Sequence, residues 1–166
     1  PPANYEVLEP KSHNATITWL KTHVAQDRSA TNRDRVELAG LGFHWPNASM
    51  THRLENTLGY NPVRLDDYTR ATGAQDHVGL PDQRKFSPLM PSYRSPLADL
   101  LGLRYIAFGA PIESFDTRLP FGTLPLVEQT DNAWIYENTS ALPRVLFTTR
   151  AISADFETLL ADGKWP

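Results

Sequence analysis

The chain contains no cysteine. That excludes disulfides, thiolate metal sites and a cysteine nucleophile, yet leaves the redox compartment open, because periplasmic proteins need not carry disulfides. It also lacks any apolar run near the roughly 20 residues needed to span a bilayer, and its start lacks the basic-then-apolar order of a signal peptide. An excess of positive charge is missing too. The 16 Lys and Arg stand against 19 Asp and Glu, a formal net charge of -3, and no basic block of the kind that follows a phosphate backbone occurs. Nucleic acid is therefore not an expected partner. Neither a Gly-x-Ser-x-Gly elbow nor a serine placed beside a histidine as an activated nucleophile is found, which argues against a free hydrolase.

What is present reads as a globular fold. With 166 residues, 40% apolar and 21% charged, the chain is long enough to bury a core and fits one domain of ordinary size. It begins Pro1-Pro2-Ala3 and stops at Lys164-Trp165-Pro166, so the expectation is a single soluble domain, residues 1–166, excised from a larger protein.

Along the chain, Ile17, Leu20, Lys21 and Val24 recur at helical spacing over residues 14–26, with Asn14 as cap. Residues 29–34 read as a polar loop, and residues 35–39 alternate as a strand ending at Gly40-Leu41-Gly42. That glycine pair is not a dinucleotide fingerprint, since Trp45-Pro46 stands where a third glycine would open a helix. The next helix signal is the clearest. Asn61 offers a cap, Pro62 a first-position proline, Asp66 and Asp67 early acidic charge and Gly73 a stop, with a body over 63–72. Residues 79–93, holding Pro81, Pro88 and Pro91, read as a long surface loop. Ser95-Pro96 repeats the cap-and-proline device for a short helix over 97–101, Gly102 ends it, and residues 103–108 follow as a buried strand. Strands are expected over 126–130 and 133–137, joined by an Asp131-Asn132 hairpin turn, and over 144–149. A last helix through Phe156, Leu159 and Leu160 would be capped by Ser153 and closed by Gly163. Between the strands, residues 138–143 form a corner: Asn138 and Ser140 suit a turn, and Pro143 cannot donate a ladder hydrogen bond.

Three segments taken together carry a resemblance. Asn47-Ala48 followed by Leu58-Gly59-Tyr60-Asn61-Pro62, then residues 97–106 (LADLLGLRYI), then Ile135-Tyr136-Glu137-Asn138 with Ala141-Leu142-Pro143-Arg144, resemble the soluble part of YfhO-type bacterial membrane proteins. That multispanning family is itself similar to the GT-C glycosyltransferases. The resemblance runs in the same order over roughly residues 35–160 and does not reach the first helix. It implies an extracytoplasmic domain on the periplasmic face of a bacterial inner membrane, tethered to the membrane helices of its own parent chain. It also implies a role beside glycosyl transfer from a polyprenyl-phosphate sugar to an envelope acceptor. No catalytic residue carries over, because nothing here matches the acidic loop on which GT-C chemistry depends. The domain is accordingly expected to position a glycan or lipid-linked acceptor, or to hold the assembly together, without a cofactor. The alternative is a stand-alone periplasmic carbohydrate-binding or protein-interaction module.

Several residues remain as ligand-binding candidates. Trp45 can stack on a sugar ring while His44 and Asn47 hydrogen-bond its hydroxyls, since loops at strand ends tend to bind ligands. A core Trp45 with Asn47 capping a helical turn accounts for the same residues and is favoured. Tyr60 and Asn61 meet a helix N-terminus that can receive an anionic group, or they serve as core filler and cap. Arg144 opens an otherwise apolar strand, so it either faces a ligand or, as favoured, pairs with a carboxylate. Gly59, Pro62, Gly102, Asn138 and Pro143 are read as structural. The histidines show no zinc spacing, so no metal is expected. Asp66 and Asp67 point about 100 degrees apart on a helix and follow from the helix dipole.

The expected fold is α+β, a mixed and mainly antiparallel sheet of about five strands packed by about four helices, with residues 103–108 central. A doubly wound sheet is the less favoured alternative, because a two-residue turn joins only antiparallel neighbours.

Overall fold

A computed structural model describes residues 14–26, 34–39, 41, 48–57, 65–72, 93–114, 116–117, 119–120 and 122–165. The architecture is α+β around a mixed four-stranded sheet. Strands β1 (Arg35–Ala39), β2 (Leu103–Phe108), β3 (Leu126–Gln129) and β4 (Trp134–Glu137) stand in the order β1-β2-β4-β3. β1 runs parallel to β2, with Glu37 opposite Ile106, while β2–β4 and β4–β3 are antiparallel. β2 is central, as its apolar run predicts: all but one of its residues are buried.

Helix α1 (Ala15–Gln26) forms where the spacing places it, and Asn14 Oδ1 accepts from the Ile17 N–H at 3.1 Å. Its buried residues Ile17, Leu20 and Val24 pack with Val36, Leu38, Tyr105, Ala107 and Ile135, which share one face of the sheet. The same helix is tied to the hairpin. Buried Thr16 donates to Asn132 Oδ1 at 2.7 Å and lies 2.7 Å from the Thr130 hydroxyl. Ile106, Phe108 and Tyr136 look the other way, onto Tyr93, Ala98, Ile112, Leu119 and Leu124.

Single-turn helix α2 (Ala48–Thr51) leads through Arg53, whose φ is 58°, to a segment that lies along the outer side of β1. There Val36 N–H donates to Glu55 O at 2.8 Å and Thr57 N–H to Val36 O at 3.2 Å, which makes one parallel bridge between Val36 and Asn56. Helix α3 (Asp66–Thr72) follows and starts later than the expected 63, because Leu65 is not helical and stands at the cap position, its carbonyl accepting from Thr69 N–H at 3.0 Å. Asn61, Pro62 and residues 63 and 64 lie outside the described residues. So does most of the loop expected over 79–93. Helix α4 (Pro96–Leu100) has the expected device: Ser95 Oγ accepts from Ala98 N–H at 3.2 Å, and Pro96 occupies the first turn.

Two expectations need correction. Residues 144–149 form no strand. They are exposed and irregular, because the chain leaves the corner on the β1 flank, where no neighbouring strand offers them a ladder among the described residues. The last helix, α5 (Phe156–Asp162), is capped by Asp155, whose Oδ1 accepts from Thr158 N–H at 2.9 Å, and not by Ser153. A carboxylate three residues before the donor fits the N-cap geometry, and Ser153 stands too far upstream. Gly163 closes the helix at φ 67°, as expected. None of the helices among the described residues is long and apolar enough to cross a membrane.

Candidate functional site

Two polar clusters lie at the β1–β2 end of the sheet. The first is the corner after β4. Asn138 is fully buried. Its Nδ2 donates to Asp99 Oδ1 at 2.8 Å, its Oδ1 accepts from Ser140 N–H at 3.1 Å, and its N–H donates to Arg104 O at 2.7 Å. Asp99, on α4, also accepts from Arg94 Nη1 at 3.0 Å, while Arg94 Nη2 donates to Ser140 Oγ at 2.8 Å. Arg104, on β2, donates from Nη2 to Ala141 O at 3.3 Å and has its Nε 3.5 Å from Asp34 Oδ1. The side chains of one short helix and one strand thus hold the corner on both sides.

Gly102 is the joint of this cluster. Its φ of 64° lies in the left-handed region, and a Cβ there would meet Leu142 O at 3.2 Å. Its N–H donates to Asp99 O at 3.0 Å, its carbonyl accepts from Arg35 N–H at 2.8 Å, and Asp99 O takes a second donor, Leu142 N–H, at 2.9 Å. Only glycine reaches this backbone conformation without strain while leaving room for the corner to close. Pro143 is exposed and irregular beyond it.

The second cluster surrounds Glu37, which is 0% exposed on β1. Thr57 Oγ1 donates to Glu37 Oε2, and the Tyr68 hydroxyl, from α3, donates to Thr57 O at 2.6 Å. Burial first, and then the Glu37 carboxylate, push the Tyr68 phenol above its ordinary 10.0, against the pull of Arg35. Burial and the like charge of Arg144 lower Arg35 from its usual value, with Tyr68 and Glu55 opposing. Arg144 meets the Glu55 carboxylate in an ion pair at half-exposed side chains. Sequence reading missed Glu37. In a strand reading Arg-Val-Glu-Leu-Ala, period-2 alternation puts Arg35 and Glu37 on a solvent face, whereas α3 and residues 55–57 cover that face here. Both covering elements are distant in sequence, so no local signal carries this.

Of the sequence-predicted candidates, the structure places Arg144 against Glu55 and Asn138 and Gly102 in the corner. His44, Trp45, Asn47, Gly59, Tyr60, Asn61 and Pro62 lie outside the described residues. Asp66 and Asp67 are both exposed in the first turn of α3, consistent with a dipole role. Among the described residues, no group of three or more His, Asp or Glu side chains is arranged to hold a metal ion.

Chemically, both clusters bind their own polar groups together. The corner's carboxylate, amide and guanidinium groups are engaged with one another and with backbone. Glu37, shut away from solvent, meets a soluble substrate only if its cover moves. No family model, curated protein or solved structure matches the chain.

Proposed function

We propose that the chain is an accessory extracytoplasmic domain of a membrane glycosyltransferase-like protein of the YfhO type. On this reading it sits on the periplasmic face of a bacterial inner membrane, against the membrane helices of its own parent chain. There it positions a glycan or polyprenyl-phosphate-linked acceptor, or stabilises the assembly. The finer architecture that goes with this reading is one domain over residues 1–166, with a sheet of about five strands in all.

The observation that supports it best is the meeting of two resemblance segments in one place. Residues from 97–106 and from 135–144 interlock through Asp99, Gly102, Arg104 and Asn138. A role in building the fold accounts for why these segments occur together, and it engages their polar groups in structure instead of chemistry. The purified chain is therefore expected to show no turnover of a polyprenyl-phosphate sugar, read as release or transfer of radiolabelled sugar. Measurable turnover would overturn the accessory-domain reading.

A second reading, a stand-alone periplasmic carbohydrate-binding or protein-interaction module, is favoured by the apolar row Val145, Leu146 and Phe147 left in solvent. The full reading frame separates the two. Membrane helices encoded upstream in the same frame support the first, and a signal peptide directly before Pro1 supports the second.

A further inference from the structure

Apart from Met50 and Leu65, the large apolar side chains left exposed among the described residues lie on two segments. Leu126 and Val127 lie on β3, and Val145, Leu146, Phe147 and Ile152 lie on the strap between the corner and α5, with Phe147 92% exposed. The strap has the composition of a strand, rich in β-branched and aromatic residues, yet takes part in no ladder among the described residues. β3 has the opposite deficit. Among the described residues it is the outer strand of the sheet and pairs with β4 on one side, with a bulge between Leu126 and Glu128. The Gln129 N–H donates to Glu128 Oε1 at 3.0 Å, and the outward N–H and C=O of Val127 and the C=O of Gln129 remain as a template for a further strand.

The strap is held away from its own β3. Arg144 pairs with Glu55, whose carbonyl is bound to β1, and Glu157 at the start of α5 pairs with Arg70 of α3. Phe156 is fixed as well, under the Arg70 guanidinium at 5.4 Å. Both anchors stand on the β1 flank, and β2 and β4 separate that flank from β3. The charges of the two segments are opposite: Arg150 belongs to the strap, Glu128 and Asp131 to the β3–β4 hairpin.

We propose that strap residues 145–150 of one copy add as an outer strand to the β3 edge of a second copy of this chain. Backbone pairing supplies the contact, the apolar side chains of both segments leave solvent together, and Arg150 meets the acidic hairpin. The contact joins different surfaces of the two copies. It is made twice in a reciprocal pair or repeated along an open chain. The proposal is independent of the function assigned above.

Sedimentation velocity on the 166-residue chain, over roughly a hundredfold range of concentration, tests it. The expected result is a concentration-dependent shift from monomer to a larger species. Phe147→Glu breaks the strap and Val127→Lys breaks the edge, and each is expected to weaken association by about tenfold or more. Both positions face solvent, and circular dichroism verifies that the fold persists. Leu146→Glu replaces Phe147→Glu if that variant misfolds. The decisive arm mixes the two variants, because the strap of the Val127→Lys chain and the edge of the Phe147→Glu chain are both intact. The mixture is expected to associate more strongly than either variant alone. A wild-type chain that stays monomeric throughout, an association untouched by both substitutions, or a mixture no better than its parts overturns the proposal. So does a monomer whose strap instead binds vesicles of anionic phospholipid, which would make a membrane surface the occupant.

Discussion

Gly102 and Tyr68 are the residues whose surroundings give the most definite expectations. Replacing Gly102 by alanine forces a side chain into the left-handed region and against Leu142 O. The expected cost is about 1–3 kcal/mol, read as a lower midpoint in urea denaturation, while Gly122, which has φ 76° but open space, serves as the control for backbone strain alone. Tyr68 gives a pH signature. Its phenol is raised above 10.0 in the fold, so the unfolded chain loses that proton first as pH climbs. Stability from this group is complete below 10.0 and falls as pH rises beyond it towards the folded value. Tyr68→Phe should be less stable near neutral pH, through loss of the bond to Thr57 O, but should lose less stability than wild type when unfolding is followed through the alkaline range. An unchanged alkaline slope would mean that Glu37 and burial do not act on the phenol. Gly102 was legible in the sequence because a glycine between a capped helix and an apolar strand has one evident use. The burial of Glu37 was not, since it depends on elements that reach β1 from elsewhere in the chain.

Among the elements, the caps and the central strand were legible and the closing strand was not. Ser95 and Asn14 sit three residues before the N–H groups they satisfy, a relation written in the local sequence. Strand formation at 144–149 depended instead on a neighbour, and β propensity describes fit to a sheet more than a backbone preference. The corner before it separates two kinds of polar contact. Asn138 is fully buried and bonded at both ends of its amide, so Asn138→Ala should destabilise by about 1–3 kcal/mol. Arg144 pairs with Glu55 at a half-exposed site, so Arg144→Ala should cost at most about 1 kcal/mol. Thermal melts of the two variants are therefore expected to differ, with Asn138→Ala the lower. A shared and large drop would mean that Arg144 holds more of the corner than its exposure implies.

At the scale of the whole molecule, α1 and the hairpin make one unit out of distant parts of the chain, joined through Thr16 and Thr130 across 114 residues. Leu20 is fully buried against the sheet. Leu20→Ala should cost about 2–5 kcal/mol, and tryptophan fluorescence and far-ultraviolet circular dichroism should shift together if the helix and sheet unfold cooperatively. The parallel pairing of β1 with β2 also has a consequence in time. β1 is made well before its ladder partner β2, and the joint that receives Arg35 is Gly102. Among the described residues, the partners of β1 made before β2 are α1, which packs on Val36 and Leu38, and residues 55–57, which bridge to Val36. The edge of β1 that faces β2 stays without its ladder until β2 has left the ribosome, and closing that long loop is the slow step expected of non-local topology. The order of the strands thus makes the β1–β2 ladder a late event in synthesis, after the other partners of β1 are in place.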